Sequence, residues 1–392
     1  MTPPRVLLVV PQLPWPIRDG ADLRLLSIAA ALARSATVSV AALSGGTSPA
    51  PSFVHGWVSA GLASPDGPPI VRQLLEHPDD PFGPFASAAA VDFLRVAVRD
   101  ARPDLVVLAR LQVWRVAVEA LDERDMPLVL DLDASNARVV PALDSIAGTD
   151  PAARILSRFN KAAARYELRV LPDAAAVWVS SAVEAEAVIA TTGRESTVVV
   201  NAVDVDQYAA PHVERVAGRL LYPGSFRYPP NELAARELVE EIAPRLPGHD
   251  VLIVGSHAPS WLREGSWPGV TVVGRVPSMV EYLASASAVV VPLRAGTGTR
   301  LKIIEAMAAG APVISTAVGA EGLDLEPGRH YLAAETADDF VDAVLRLDED
   351  AELARVLADA GRQIVRDRYS IDAIAPVLAR QVDQVLEAVA AR

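Results

Sequence analysis

Short apolar runs, separated by longer stretches with helical periodicity, constrain this chain more than any other feature of its sequence. They lie at 6–10, 37–41, 105–109, 128–130, 176–179 and 197–200, and again at 220–222, 251–254, 270–273, 288–291 and 313–315. A strand that is apolar throughout needs cover on both faces, as in a parallel sheet sandwiched between helices. The stretches 23–33, 155–171, 232–242 and 303–309 repeat apolar residues three and four apart, which predicts helices with one buried face. This alternation predicts an α/β chain of doubly wound, parallel architecture.

With 392 residues the chain exceeds the usual size of one domain. Its halves also open alike. Residues 5–10, a proline-rich loop and a helix are echoed by 219–222, the loop 223–231 and another helix. Two similar domains are therefore expected, joined through the polar stretch from Asn201 past Tyr208 to Gly218. Segments 44–51 and 64–69 are rich in proline and glycine and read as loops. The tail from Ser370 has apolar positions at Ile371, Ile374, Leu378, Val382, Val385 and Val389, which predicts a terminal helix.

Composition removes several function classes. There is no cysteine, hence no disulfide and no thiolate metal site. Histidines 55, 77, 212, 249, 257 and 330 follow no metal-ligand spacing, so neither a metal nor a resident cofactor is expected. The formal net charge of −13 argues against a nucleic-acid groove or an anionic membrane surface, although one local basic patch would survive such a total. The N-terminal apolar run is interrupted at once by Pro11, Pro14 and Pro16, and no apolar segment approaches the length of a membrane span. The expectation is a soluble, cytoplasmic protein. Neither a nucleophile elbow nor a P-loop lysine motif occurs, which sets aside common hydrolases and kinases.

The most informative segment runs from Pro292 to Thr316. A strand ends at Pro292, a loop carries Gly296, Thr297 and Gly298, and a helix is predicted to start near Thr299. Glycines there let backbone N–H groups approach an anion at the positive end of the helix. Arg300 and Lys302 add full charges in the first turn, where the macrodipole disfavours cations unless a group such as a diphosphate is bound. Lys302 is conspicuous because Lys161 is the only other lysine. Glu305, on the next turn, suits hydrogen bonds from sugar hydroxyls. A glycine loop that merely starts a helix would look the same. A dinucleotide fingerprint would not, since Leu301 stands where its third glycine belongs.

From Glu305 through Ala306-Met307-Ala308 to Ile314, the chain resembles the retaining glycosyltransferases of the GT-B fold, known as glycosyltransferase group 1 or family 4. The resemblance extends over nearly the whole chain and is strongest between Gly255 and Gly322. It implies two Rossmann-like domains facing one another across a cleft. Residues 1–205 would bind the acceptor, 206–372 the nucleotide-sugar, and a helix at 373–392 would cross back to the first domain. Glu305 would bind the nucleotide ribose. The family's first glutamate falls at Thr297, and its usual arginine and lysine after the second domain's first strand fall at Ser225 and Pro230. Arg300 and Lys302 are therefore expected to take over the charges on the diphosphate, with Arg227 as a weaker candidate.

Other matches are shorter. Asn201-Ala-Val-Asp204 resembles a turn that closes the first domain, and Gly274-Arg275 a strand end near the nucleotide base. Gly224 and Gly20 would each face the donor phosphates, although Asp19, Asp22 and Arg24 beside Gly20 read equally as cap and surface residues. Asp131-Leu-Asp133 reads as an Asp-x-Asp pair, which binds a metal in a different transferase fold. Here Asp133, with Asp131 as the alternative, is expected at a donor hydroxyl or the acceptor, or else to be a cap and a loop aspartate. Trp15 would stack on an acceptor or pack in the core.

The implied reaction is metal-independent transfer of a sugar from a nucleotide-sugar donor to a hydroxyl or amine of a small-molecule or glycan acceptor, with retention. A pseudo-glycoside synthase, an epimerase or a non-catalytic partner protein on the same fold would share these features.

Overall fold

The computed structural model describes residues 2–46, 48–62, 74, 78–121, 126–145, 151–209, 213–298 and 300–391. The expected loop 64–69, Thr299, His77, His212 and part of the join at 210–212 lie outside the described residues. The chain forms two compact units, Met1–Asn201 with Ile371–Arg392, and Ala202–Ser370.

The first unit runs β1 (Arg5–Gln12), α1 (Gly20–Leu32), β2 (Thr37–Ser44), β3 (Gly56–Ser59), α2 (Ala88–Ala101), β4 (Leu105–Ala109), α3 (Trp114–Ala120), β5 (Leu128–Asp133), α4 (Asn136–Asp144), α5 (Pro151–Val170), β6 (Ala176–Val179), α6 (Ala182–Thr192) and β7 (Thr197–Val198). Its strands pair in parallel in the order β3-β2-β1-β4-β5-β6-β7. Leu7, Val9, Val106, Leu108, Leu130 and Val177 on one sheet face pack with Leu94, Trp114 and Val170 from the helices. Each such side chain contributes roughly 1.5–3 kcal/mol by leaving water.

The second unit runs β8 (Arg219–Pro223), α7 (Pro229–Glu237), β9 (Asp250–Val254), α8 (Ser260–Glu264), β10 (Val270–Gly274), α9 (Val280–Ser285), β11 (Ala288–Val291), α10 (Leu301–Ala309), β12 (Val313–Ser315), α11 (Ala317–Ala320), β13 (Leu332–Ala333), α12 (Ala337–Glu349) and α13 (Ala351–Arg368). Its parallel sheet has the order β10-β9-β8-β11-β12-β13. The last helix, α14 (Ile371–Ala390), belongs to the first unit and packs on α1. There Gln381 accepts a hydrogen bond from Thr197 at 2.8 Å.

Both sheets are the doubly wound, Rossmann-like kind that the apolar runs predict. Every predicted strand forms, although the run at 197–200 is regular only over Thr197–Val198. Strands β3 and β13 were not anticipated, because one is a half-exposed edge without an apolar run and the other has two residues. The helix expected over 232–242 starts at Pro229 and widens into a π-helical turn over Leu238–Ile242. In each sheet the winding reverses once, between β1 and β4 and between β8 and β11. Ligands of open α/β sheets bind outside the strand C-termini at such reversals.

Arg24 corrects the reading of that residue as a surface group. It is 2% exposed and lies on the buried side of α1. Its guanidinium donates to both Asp131 carboxylate oxygens, from Nε at 3.1 Å and Nη2 at 2.5 Å. Nη1 donates to the Val199 carbonyl at 2.9 Å and to Asn201 Oδ1 at 2.8 Å. Burial pushes the Asp131 carboxyl up, and Arg24 pulls it back. Arg24 thus ties α1 to the sheet at Asp131 and to the end of the unit at Val199 and Asn201. Replacing Arg24 by methionine would strand the Asp131 charge and cost about 3–5 kcal/mol, while Arg24→Met with Asp131→Leu would recover part of it. Urea unfolding of the three proteins reads this directly.

Candidate functional site

The reversal between β8 and β11 in the second unit gathers most of the candidate residues. β8 ends at Pro223 and the chain passes through Gly224, whose N–H donates to the Val254 carbonyl at 3.0 Å. The strand-end loops there are packed backbone to backbone. A Cβ on Gly255 would collide with the Gly224 carbonyl, so that position admits only glycine. A Cβ on Gly224 would sit 3.4 Å from the Lys302 amine. The amine is therefore in direct contact with the end of β8.

Lys302 reaches that point from the first turn of α10. Its amine donates to Asn231 Oδ1 at 2.7 Å and lies 4.7 Å from the centroid of the Tyr222 ring. Asn231 is held in turn. Its Nδ2 donates to the Ser225 carbonyl at 2.7 Å, and its own carbonyl accepts from Tyr222 Oη at 3.0 Å. Burial, and then the neighbouring Arg300 charge, push the Lys302 amine down to about 7, with Glu305 pulling the other way.

The glycine loop before α10 is fastened from two sides. Gly296 has φ 142°, a conformation that L side chains rarely adopt, and a Cβ there would lie 2.9 Å from Tyr228 Oη. Tyr228 Oη accepts from the Thr297 N–H at 3.0 Å. Arg300 does not lie in the first helical turn. It is the N-cap residue, 5% exposed, and its guanidinium turns back to donate to the carbonyls of Thr297, at 2.6 Å, and Gly298. The loop glycines free those carbonyls to face inward, and the arginine follows them.

Arg300 makes no side-chain cap to α10. A guanidinium has no acceptor atom, so it cannot do so. In the first unit α1 is different, because Asp19 accepts from the N–H groups of Ala21 and Asp22. Helix N-termini attract anions. That end of α1 already holds one, whereas α10 presents its positive end beside a lysine.

Glu305 follows Lys302 by one turn and accepts from Tyr208 Oη at 2.8 Å. Burial raises its carboxyl to about 6, against the Tyr208 hydrogen bond and Lys302. Tyr208 itself is 7% exposed and is pushed up by burial and by the Glu305 charge. Tyr208, Asn231, Tyr222 and Tyr228 were not singled out from sequence. The only signal for them was position: Tyr222 within β8, Tyr228 in the loop after it, Asn231 in the first turn of α7 and Tyr208 in the join ahead of β8.

The remaining candidates lie elsewhere. Arg275 is exposed just past the end of β10, an edge strand. Arg227 donates to His257 Nε2 at 3.1 Å. Gly20 opens α1 in the first unit and is exposed. Trp15 is 7% exposed, donates to the Ser48 carbonyl at 3.1 Å and meets Trp57 edge-on at 6.0 Å, so it packs.

Asp133 ends β5, where the pairing with β6 slips by a residue. Its φ is 63°, and Arg110, at the end of the neighbouring β4, has φ 70°. The Asp133 carboxylate lies 3.6 Å from Arg24 Nε and 4.0 Å from Arg110 Nη2. Ser135, not Asp133, caps α4. Among the described residues no group of three or more His, Asp or Glu side chains is placed to hold a metal ion.

Comparison with known proteins agrees with this geometry. A family model described as a glycosyl transferase 4-like domain matches residues 19–203, and one described as glycosyl transferases group 1 matches 217–350. Curated protein sequences return no match. Among solved structures, sucrose-phosphate synthase from Thermosynechococcus elongatus aligns at TM-score 0.73 and 18% identity, over 98% of this chain and 100% of that one. HepE of Anabaena, in complex with UDP and glucose, aligns at TM-score 0.69 and 16% identity, over 97% of this chain and 99% of that one. WaaG, a glycosyltransferase involved in lipopolysaccharide biosynthesis, gives 0.67 and 15%, over 96% and 99%.

The Tyr208–Glu305 bond is open to direct test. Tyr208→Phe removes the donor that favours the carboxylate, so the Glu305 carboxyl should titrate above about 6. Carboxyl-carbon NMR of Glu305 in both proteins checks this, and an unchanged midpoint would contradict it.

Proposed function

This chain belongs to the group 1 glycosyltransferases, and we propose that it moves a sugar from a nucleotide-diphosphate donor to an acceptor hydroxyl or amine, with retention at the anomeric carbon and without a metal. The observation that carries this reading is the Lys302 amine beside the N-terminus of α10, which the Arg300 side chain leaves uncapped, at the reversal of the second sheet.

As the bond from the sugar C1 to the β-phosphate oxygen breaks, its electron pair stays with the leaving diphosphate. Lys302 and the N–H groups that open α10 would meet that growing charge, which is electrostatic stabilisation by groups already in place. Arg300 would hold the glycine loop around the phosphates through the Thr297 and Gly298 carbonyls and add to the same field. Glu305, with Tyr208 on Oε1, keeps Oε2 for the ribose hydroxyls. Thr297 offers a hydroxyl near the sugar, and Gly224 leaves the phosphates room.

In the first unit, Asp133 is the candidate for contact with the acceptor or the transferred sugar. Its left-handed backbone and that of Arg110 are held at adjacent strand ends, the kind of stored strain that clusters at functional sites. The UDP and glucose bound to HepE support a nucleoside-diphosphate donor for this chain.

Thermal shift against a panel of nucleoside diphosphates and their sugars should show stabilisation by one base, and a flat panel would overturn the reading. Lys302→Ala should lower kcat/KM by about 100-fold or more while leaving the fold intact. Near-normal turnover of a folded variant would contradict the role given to Lys302.

A further inference from the structure

The chain leaving β5 bends more sharply than a strand end requires. The Ala134 N–H donates to the Leu132 carbonyl at 2.9 Å and closes a three-residue γ-turn centred on Asp133. With φ at 63°, Asp133 takes the rare, strained form of that turn. Its carbonyl accepts from the Ser180 N–H at 2.9 Å, which ties the turn to the chain leaving β6. Its carboxylate accepts no hydrogen bond among the described residues. Oδ1 is buried 3.6 Å from Arg24 Nε, while Oδ2 lies 4.0 Å from Arg110 Nη2.

A strained turn persists only where its surroundings over-determine it. Beyond Asp133, two buried carboxylates from two other helices do so. Glu184 of α6, fully buried, accepts from the Ser135 N–H at 2.8 Å and pairs with Arg138 at 3.1 Å. Glu167 of α5, 2% exposed, accepts from Ser135 Oγ at 2.6 Å and from Asn136 twice, at 2.8 Å from N–H and 2.6 Å from Nδ2. Burial pushes the Glu167 carboxyl up against those hydrogen bonds, and the Glu184 charge adds to the push.

Starting a helix does not call for this much. Ser135 Oγ already caps α4 by accepting from the Ala137 N–H at 3.2 Å. None of the nine residues of α4 is buried, so the core gains little from fastening the helix itself. What the two glutamates fix is the chain immediately after Asp133. We propose that Glu167 and Glu184 are positioning residues, which hold the γ-turn so that Asp133 Oδ2 meets a hydroxyl of the transferred sugar. This rests on the reading of Asp133 given above.

Amide hydrogen exchange reads the turn without any substrate. In Glu167→Gln and Glu184→Gln the Ala134 N–H should exchange about tenfold faster or more, with the amides of Leu130 and Val177 unchanged. Ser135→Ala, which removes only the hydroxyl bound to Glu167, should show the same acceleration if a glutamate variant fails to fold. Hydrolysis of the nucleotide-sugar that most stabilises the protein reads the consequence. Each glutamate variant should slow it about tenfold or more at unchanged affinity for the nucleoside diphosphate. Neither should slow it further once Asp133 is replaced by alanine. Native exchange at Ala134, or losses that add to that of Asp133→Ala, would overturn the positioning role alone. Unchanged hydrolysis by Asp133→Ala would overturn the reading of Asp133 and the proposal with it.

Discussion

An amine held against the Tyr222 ring and the Asn231 amide, at the start of a helix whose N-cap residue is an arginine, is the constraint on which the second unit depends. Burial and the Arg300 charge together outweigh Glu305, so the amine is poised near neutrality rather than fully charged. The surroundings follow from keeping it there. Gly255 lets the β8 and β9 loops close to backbone contact, Gly224 leaves space over the amine, and Asn231 is tied at both ends of its amide. The diphosphate of the proposed donor would add negative charge beside that amine.

The first unit follows the same winding and resolves its charges in the opposite way. Its buried cation, Arg24, meets Asp131 in a two-point ion pair. The N-terminus of α1 is capped by Asp19, and Asp22 pairs with Arg18 at 2.7 Å. With those partners in place, that unit offers strand-end groups such as Asp133 rather than an unfilled anion site. The two similar sheets thus handle charge differently: an ion pair buried at Arg24 and Asp131 ties one together, and the proposed diphosphate would meet the Lys302 amine at the other.

Much of this was legible in the sequence, for reasons that also mark its limits. Buried parallel strands need apolar runs, so the strands could be read one by one, whereas β3 and β13, exposed or very short, left no such run. The loop at 296–298 and the residues Lys302 and Glu305 stood out because glycine and charge at a helix start need a reason. Tyr208 and Asn231 did not, since each acts across 97 and 71 residues of chain through a contact that only folding creates. Arg24 was left between a site role and a cap or surface role because its partner Asp131 is 107 residues away.

The most direct test of the central claim is calorimetric titration of a nucleoside diphosphate at a pH of about 8.5, in two buffers of different ionisation enthalpy. Burial and the Arg300 charge push the free amine down to about 7, well below an ordinary lysine. A bound diphosphate should return it toward the ordinary lysine value, so binding should take up close to one proton, and affinity should fall as the pH rises from about 7 toward 10. Lys302→Gln should bind without that uptake. Proton uptake by the native protein that disappears in the variant is the predicted result. Binding with no proton exchange in either protein would contradict it.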